Sequence, residues 1–265
     1  MVTAMRSVTG PYRGTNQDSV GCSGSYVFVA DGVGGHAGGD VASWTITHRL
    51  MSALSPVGRR PLDAEHLREL IAVANADLSL RVRAEPELRG MATTFTGLFC
   101  GEGTMTIAHI GDSRAYLVRD GQLRRMTRDD SLVQALVDAG VIDEAEAQHH
   151  PRRNVIMRSL AGSATDAQEM TLLTVPTQVG DRWLVASDGL TDYVTEDELG
   201  GLLAGGDVEV AADRLLAAAE AADSRDNVSL AVSDVVATAD LADAPYRYLG
   251  AAASPTRGAV ADLSR

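Results

Sequence analysis

Four aspartates stand at the ends of short apolar stretches of this sequence. Asp31 follows YVFVA and Asp188 follows RWLVAS, and glycine comes directly after each of them. Asp112 lies between two apolar runs in IAHIGDSRAY, and Asp226 precedes the apolar run NVSLAV. One aspartate at a strand end is usually a turn former or helix cap. Four together indicate carboxylates that the fold gathers, because a buried carboxylate is costly unless it is paired or bound to a cation.

A cluster of these carboxylates would present hard oxygen ligands, which suit Mg²⁺ or Mn²⁺, and bridging carboxylates suit a pair of ions. Zinc is disfavoured, because its sites usually take nitrogen or sulfur ligands. Gly32 has no Cβ, so its carbonyl can approach a metal closely. In PYRGTNQDSV, Arg13 is a planar donor suited to a phosphate, and Asp18 is a further oxygen ligand or a support for the arginine. Taken alone, this stretch is more typical of a surface turn.

The glycine-rich stretch DGVGGHAGGD allows two interpretations. It could cradle a phosphate as a nucleotide-binding loop does, or it could give the backbone room around Asp31. A dinucleotide loop requires a clear G-x-G-x-x-G spacing inside a parallel βαβ unit, and neither is evident here. The context favours the second interpretation.

The composition excludes several classes of protein. The chain has 265 residues and a formal charge of −13, which argues against a nucleic-acid groove or an anionic membrane surface as partner. It contains no lysine, so Schiff-base and phosphate-loop lysine chemistries are excluded. Cys22 and Cys100 do not make a disulfide framework, and no apolar signal core or membrane helix is evident. We therefore expect a cytoplasmic, reduced protein that binds neither nucleic acid nor membrane.

The order of apolar runs predicts an α+β fold. In the middle of the chain three strand-like runs follow one another without a helix, which favours antiparallel hairpins. The predicted strands are 25–30, 92–100, 104–110, 114–118, 182–187 and 227–235, and the predicted helices are 39–54, 63–84, 129–139, 195–203 and 207–222.

We expect one catalytic domain over residues 1–236, followed by a mobile tail over 237–265 that is rich in alanine, aspartate, proline and glycine. Residues 140–165 lack the regular spacing of apolar residues and are expected to lie as an insert on the surface. The arginines of this insert would either bind an acidic or phosphorylated peptide or belong to a solvated loop. They are Arg152, Arg153 and Arg158.

Several motifs occur in a fixed order: RGTNQD, DGVGGHAGGDVAS, GMATTFTG, IGDSRAYLVRDGQL, NVIMRSLAG, LVASDGLTD and DNVSLAV. The ordered set, over about residues 6–236, resembles the bacterial branch of the type 2C (PPM family) metal-dependent protein serine/threonine phosphatases. The resemblance implies a four-layer αββα sandwich, two antiparallel sheets flanked by helices. It also implies hydrolysis of phosphoserine and phosphothreonine in substrates of a serine/threonine kinase, by a water that bridges two Mn²⁺ or Mg²⁺ ions.

The resemblance also implies a set of metal ligands. Asp31, Asp188 and Asp226 would hold the first ion, and Asp31 with the Gly32 carbonyl would hold the second. Asp18 would support this site directly or through water.

Three further roles follow from the same resemblance. Asp112, together with Asp188, would hold a third and weaker ion. Arg13 would clamp the substrate phosphate. His36 would either donate a proton to the leaving oxygen or simply pack beside the site.

Two positions depart from the family pattern. Gln17 stands where many members carry an acidic residue, which would weaken metal binding. Asp130 stands where histidine is usual, which would alter substrate positioning more than catalysis. Two alternatives to a protein phosphatase stay open: a catalytically silent phosphoprotein-binding module and a phosphoesterase for small molecules.

Overall fold

The computed structural model describes residues 1–34, 38–54, 63–237 and 246–255. The strands are β1 (Val2–Val8), β2 (Ser19–Cys22), β3 (Tyr26–Ala30), β4 (Gly32–Val33), β5 (Ala92–Thr93), β6 (Phe95–Cys100), β7 (Thr104–Ile110), β8 (Arg114–Arg119), β9 (Gln122–Arg125), β10 (Thr171–Pro176), β11 (Arg182–Ala186), β12 (Val228–Asp234) and β13 (Arg247–Gly250). The helices are α1 (Gly39–Leu54), α2 (Ala64–Ala84), α3 (Leu132–Asp138), α4 (Glu144–Gln148), α5 (Asp166–Glu169), α6 (Asp188–Thr191), α7 (Glu196–Leu203) and α8 (Val208–Ala221), with 3₁₀ turns at Pro86–Leu88 and Ala251–Ala253.

Two antiparallel sheets form the centre of the molecule. One has the strand order β1-β12-β11-β8-β9, and the other has the order β10-β7-β6-β3-β2-β13. The short strands β4 and β5 make a separate pair. The α+β fold expected from the sequence is therefore confirmed, with every strand pair antiparallel.

The run YVFVA in β3 is apolar throughout because both faces of this strand are covered. Side chains alternate between the faces of a sheet. Val27 and Val29 pack in the cluster between the two sheets, which also contains Trp183 of the opposite sheet. Tyr26 and Phe28 pack on the other face, in a cluster with side chains of α1 and α2. A third cluster joins α7 and α8 to the outer face of the other sheet, which gives the helix–sheet–sheet–helix layering.

Local signals fix where the outer helices begin. Thr195 caps α7 in a capping box with Glu198, and the Asp207 carboxylate accepts a hydrogen bond from the Val210 N–H at the start of α8. Such caps satisfy N–H groups that have no partner inside the helix.

The C-terminal part of the chain differs from the expectation of a tail over 237–265. Residues Arg247–Gly250 form β13, an edge strand paired with β2, and Ala251 and Ala252 are buried. The run RYLG is too short to predict a strand, but pairing with β2 satisfies its backbone and covers its apolar side chains. These residues belong to the folded sheet.

Residues 140–165 lie mostly on the surface, as expected of an insert. They contain α4, and two isolated bridges join this region to the body of the protein, between Thr93 and Leu160 and between Ser131 and Ile156. Cys22 and Cys100 are both free thiols. None of the helices in the described ranges is long and apolar enough to cross a membrane.

Candidate metal centre

Asp31 lies directly after β3, and its backbone is held on both sides. Its N–H donates to Thr94 Oγ1 at 3.0 Å. Its carbonyl accepts from the Thr94 N–H at 2.8 Å and from Thr93 Oγ1 at 2.8 Å. The main chain that carries this carboxylate is thereby fixed to the neighbouring strand.

Gly32 is needed where the start of α1 approaches the end of β3. A Cβ on Gly32 would lie 2.1 Å from the Gly39 carbonyl oxygen and 2.6 Å from the Gln17 carbonyl oxygen. A Cβ on Gly39 would lie 2.6 Å from the Gly32 oxygen. Two of the glycines in the glycine-rich stretch therefore allow three segments of backbone to meet beside Asp31.

Asp188 begins α6, immediately after β11. The Ser187 hydroxyl before it donates to Asp18 Oδ2 at 2.9 Å, so the end of β11 is tied to the Asp18 carboxylate. After it, a Cβ on Gly189 would lie 1.9 Å from the Asn227 carbonyl oxygen. The segments that carry Asp188 and Asp226 are thus in direct contact.

Asp226 is held by its own neighbours. Its Oδ1 accepts from the Asn227 N–H at 2.8 Å, and its Oδ2 forms an ion pair with Arg13. Arg13 also donates from Nε to the Arg225 carbonyl at 3.3 Å. The side chain expected to clamp a phosphate therefore binds an expected metal ligand, and 46% of it is exposed.

Asp112 lies between β7 and β8 and is buried. The next residue, Ser113, shares a hydrogen bond with Thr94 Oγ1 at 2.8 Å, and its carbonyl accepts from Thr96 Oγ1 at 2.8 Å. Because Thr94 also accepts from the Asp31 N–H, one threonine links the backbone of the Asp31 and Asp112 segments.

Burial and mutual repulsion make these carboxylates hard to ionise. Burial, followed by the charges of neighbouring carboxylates, raises the pKa of Asp31 and that of Asp188 well above the ordinary value. Burial also raises the pKa of Asp112 to about 7, with the charge of Asp129 next in importance. Burial raises the pKa of Asp18 to about 6, partly offset by hydrogen bonds from serine hydroxyls. The site thus concentrates negative charge, which a divalent cation would stabilise.

Two buried oxygens in this group have no hydrogen-bond partner in the structure, Oδ1 of Asp112 and Oδ1 of Asp188. Buried polar atoms normally find a partner, and these two are hard oxygen donors of the kind that Mg²⁺ and Mn²⁺ prefer. The donor set therefore fits divalent ions. Across the part of the chain that the structure describes, however, no three Asp, Glu, His or Cys side chains are arranged to hold an ion as they stand. Joint coordination by Asp31, Asp188 and Asp226 stays a prediction.

The family model for protein phosphatase 2C matches residues 14–227, which is most of the chain. The chain belongs to the protein phosphatase 2C family.

Relatives within protein phosphatase 2C agree with this placement. The serine/threonine protein phosphatase PstP of Mycobacterium tuberculosis (strain H37Rv) is 39% identical over 236 residues, covering 88% of this chain and 45% of the relative. The crystal structure of the M. tuberculosis phosphatase PstP/Ppp is similar with a TM-score of 0.82 and 38% identity, over 89% of this chain and 99% of that one. The crystal structure of the PstP catalytic domain in complex with two manganese ions is similar with a TM-score of 0.79 and 36% identity. The match covers 89% of this chain and 98% of that one. The chain spans less than half the length of this curated relative.

Some residues of this protein phosphatase 2C site were missed in the sequence. Asp192 lies four residues after Asp188, a spacing that brings side chains together on a helix. The charges of Asp112 and Asp192 both contribute to the raised pKa of Asp188. Arg114 binds the buried Asp129 carboxylate at 2.7 Å and donates to the Thr191 carbonyl at 3.1 Å. The i, i+4 spacing of Asp192 was a usable signal, whereas the Arg114 contacts depend on tertiary packing.

Of the two departures from the protein phosphatase 2C pattern, Asp130 makes side-chain contacts, whereas Gln17 is held through its backbone. The Gln17 N–H donates to Asn227 Oδ1 at 2.8 Å, and its carbonyl accepts from the Ser43 hydroxyl at 2.5 Å. Asp130 Oδ2 accepts from the Gly111 N–H at 3.1 Å, and Oδ1 accepts from Arg158 at 2.9 Å. Asp130 therefore joins the Asp112 segment to the insert. His36 lies outside the described residues.

Proposed function

We propose that this chain is a metal-dependent phosphoprotein phosphatase that hydrolyses phosphoserine and phosphothreonine, with Mn²⁺ or Mg²⁺ as cofactor. The observation that carries the proposal is a group of buried and half-buried aspartates. Burial and one another's charges raise their pKa values, and two of their buried oxygens have no hydrogen-bond partner. Family membership supports the reaction, and the manganese ions of the PstP catalytic domain support the cofactor. The proposed partners are phosphoproteins made by a serine/threonine kinase.

The ligands proposed for two core ions are Asp31, Asp188 and Asp226, with the Gly32 carbonyl on the second ion and Asp18 in support. Asp112 would share a third ion with Asp188. When bound, such ions supply Lewis-acid stabilisation of a phosphoryl group and activation of water.

The chain's own residues would bind the substrate phosphate, position the insert and supply a proton. Arg13 is exposed beside Asp226, so one part of its guanidinium can hold the carboxylate while other N–H groups donate to a substrate phosphate. Asp130 and Arg158 would fix the insert against the Asp112 segment. His36 is proposed as a proton donor to the leaving oxygen, on family resemblance alone.

The proposal is tested by phosphate release from a phosphothreonine peptide. We expect the purified chain to turn over the peptide with Mn²⁺ and to stop when a chelator is added. Activity that is unchanged in chelator would contradict the mechanism. Stoichiometric binding of the phosphopeptide without turnover would instead favour the silent binding module, and turnover limited to small phosphoesters would favour the phosphoesterase.

Arg13→Ala should separate substrate binding from metal binding. Loss of the phosphate donor should raise KM for the phosphopeptide by about 10-fold, since hydrogen bonds to charged groups contribute about 1.5–3 kcal/mol. The same change frees Asp226 from its ion pair, so the Kd for Mn²⁺ should fall by a few-fold. Steady-state kinetics and calorimetric Mn²⁺ titration measure the two effects.

Arg6→Ala is the matched control, because it also removes an ion-paired arginine. Arg6 pairs with Glu209 at 2.9 Å and with Asp213 at 2.7 Å, and both of these carboxylates belong to helix α8. Neither KM nor the Kd for Mn²⁺ should change in this variant. A KM that is equally unchanged in Arg13→Ala would remove Arg13 from the phosphate site.

A further inference from the structure

Residues 246–255, which we call the C-terminal clip, end against the backbone of Asp18. Strand β13 pairs with β2 so that Gly250 lies opposite Ser19, the residue after Asp18. The chain then turns, and the Ala251 N–H donates to the Asp18 carbonyl at 2.7 Å. Asp18 is 1% exposed, so this contact lies inside the protein.

Gly250 is the residue that permits this contact. Its φ of +68° is a conformation that other residues rarely adopt. A Cβ at this position would also lie 2.1 Å from the Asp18 carbonyl oxygen and 2.8 Å from Ser7 Oγ. Any side chain here would have to displace the Asp18 main chain or leave the turn.

An aromatic stack fastens the C-terminal clip to helix α1. The Tyr248 ring stacks on His48 with centroids 4.6 Å apart, and His48 stacks on Trp44 at 4.0 Å. His48 Nε2 donates to the Ala252 carbonyl at 2.9 Å, and Trp44 Nε1 donates to the Ser254 carbonyl at 3.1 Å. The same helix begins at Gly39, whose backbone approaches Gly32. The C-terminal clip therefore contacts two of the elements that frame the carboxylates.

We propose that the C-terminal clip positions the Asp18 carboxylate for metal binding, with Gly250 and Ala251 as positioning residues. The carboxylate itself is held by Ser187 from the other sheet. Ala251 therefore holds the backbone of Asp18 and Ser187 holds its carboxylate, which lies within reach of the charges of Asp31 and Asp226. This inference rests on the proposed function, since it assigns a role toward the proposed ions.

Gly250→Ala in the full chain tests the proposal. We expect the Kd for Mn²⁺, measured by calorimetry, to rise about 10- to 100-fold, the usual effect of losing an outer partner of a metal ligand. At saturating Mn²⁺, KM for the phosphopeptide should equal the wild-type value, because Arg13 and the insert are untouched. The matched control is Gly205→Ala: Gly205 has φ +67°, and no atom lies within 4 Å of the position that an added Cβ would take.

The control separates backbone strain from positioning. Both variants place an alanine at a positive φ, so both should lose stability to a denaturant in chelator, but only Gly250→Ala should bind Mn²⁺ more weakly. If Gly250→Ala does not fold, Tyr248→Ala removes one ring of the stack and leaves the turn intact. It should also raise the Kd for Mn²⁺, by less.

Wild-type Mn²⁺ affinity in a folded Gly250→Ala protein, or in Tyr248→Ala where that variant replaces it, would overturn the role of the C-terminal clip and leave the proposed function intact. Equal weakening in Gly205→Ala would overturn it as well, because strain alone would then explain the loss. A wild-type chain that binds no Mn²⁺ would overturn the proposed function, and this inference with it.

Discussion

Asp188→Asn should abolish phosphate release and, in the absence of metal, make the protein harder to unfold. The two effects have opposite signs because one carboxylate has two roles. Its charge is proposed to bind the ions, so its removal should cost more than about 100-fold in activity, the upper end of the effect of losing an outer partner alone. The same carboxylate lies near Asp112, Asp192 and Asp226 with its Oδ1 buried, and its raised pKa means that the fold is less stable when it is ionised.

At neutral pH in chelator, the free energy of unfolding of Asp188→Asn should therefore be higher than that of the wild type, because the amide cannot carry the charge that the folded state disfavours. Asp31→Asn should behave in the same way, because burial and neighbouring charges raise the pKa of Asp31 as well. Chemical denaturation in chelator and phosphate release in Mn²⁺ measure the two quantities on the same preparations.

Asp181→Asn is the matched control, a buried aspartate whose charge is paired. Asp181 accepts from Arg119 Nε at 2.7 Å and from Thr177 Oγ1 at 2.7 Å, and these bonds help to lower its pKa. Its replacement should therefore destabilise the protein and leave the activity per folded molecule unchanged. An Asp188→Asn variant that retains activity, or that is less stable than wild type in chelator, would contradict the proposed role of the site.

The central strands and long helices could be predicted from sequence because their signals are local. YVFVA and RWLVA are short apolar runs bounded by turn residues, and α2 carries a long amphipathic pattern that begins at a capping aspartate. Strands β1 and β10 were missed because polar residues interrupt them, and pairing with β12 and β7 stabilises them instead. Strand β13 was missed because the run RYLG is short, and its partner β2 is more than 200 residues away in sequence.

The candidate site was predictable only in part. Aspartates at strand ends are visible in the sequence, and the structure places Asp18, Asp31, Asp112 and Asp188 within reach of one another's charge. The ion pair between Arg13 and Asp226 was not predictable, because it joins residues 213 positions apart. The contact between Gly250 and Asp18 is likewise a product of sheet pairing, and no spacing along the chain could indicate it.

The metal-free protein should become more stable as the pH falls from about 8 to about 5. A carboxylate whose pKa is raised in the folded state takes up a proton there while the unfolded chain is still ionised, so protons favour folding across that interval. The pKa is about 7 for Asp112 and about 6 for Asp18, against 3.8 for an ordinary aspartate. His109 opposes this trend, because burial lowers its pKa. Its effect on the pH dependence of stability should be smaller than the combined effect of the carboxylates.

Mn²⁺ should reverse the slope, because protons and divalent ions compete for the same oxygens. Denaturation curves at pH 5, 6, 7 and 8, in chelator and in saturating Mn²⁺, measure both profiles. Asp112→Asn should flatten the chelator profile near neutral pH, where the Asp112 carboxyl titrates. Below about pH 4 the trend should end, since Asp129 and Asp181 have lowered pKa values and lose their ion pairs on protonation. Stability that rises from pH 5 to pH 8 in chelator would mean that burial and neighbouring charges do not raise the pKa of these carboxylates in the folded protein.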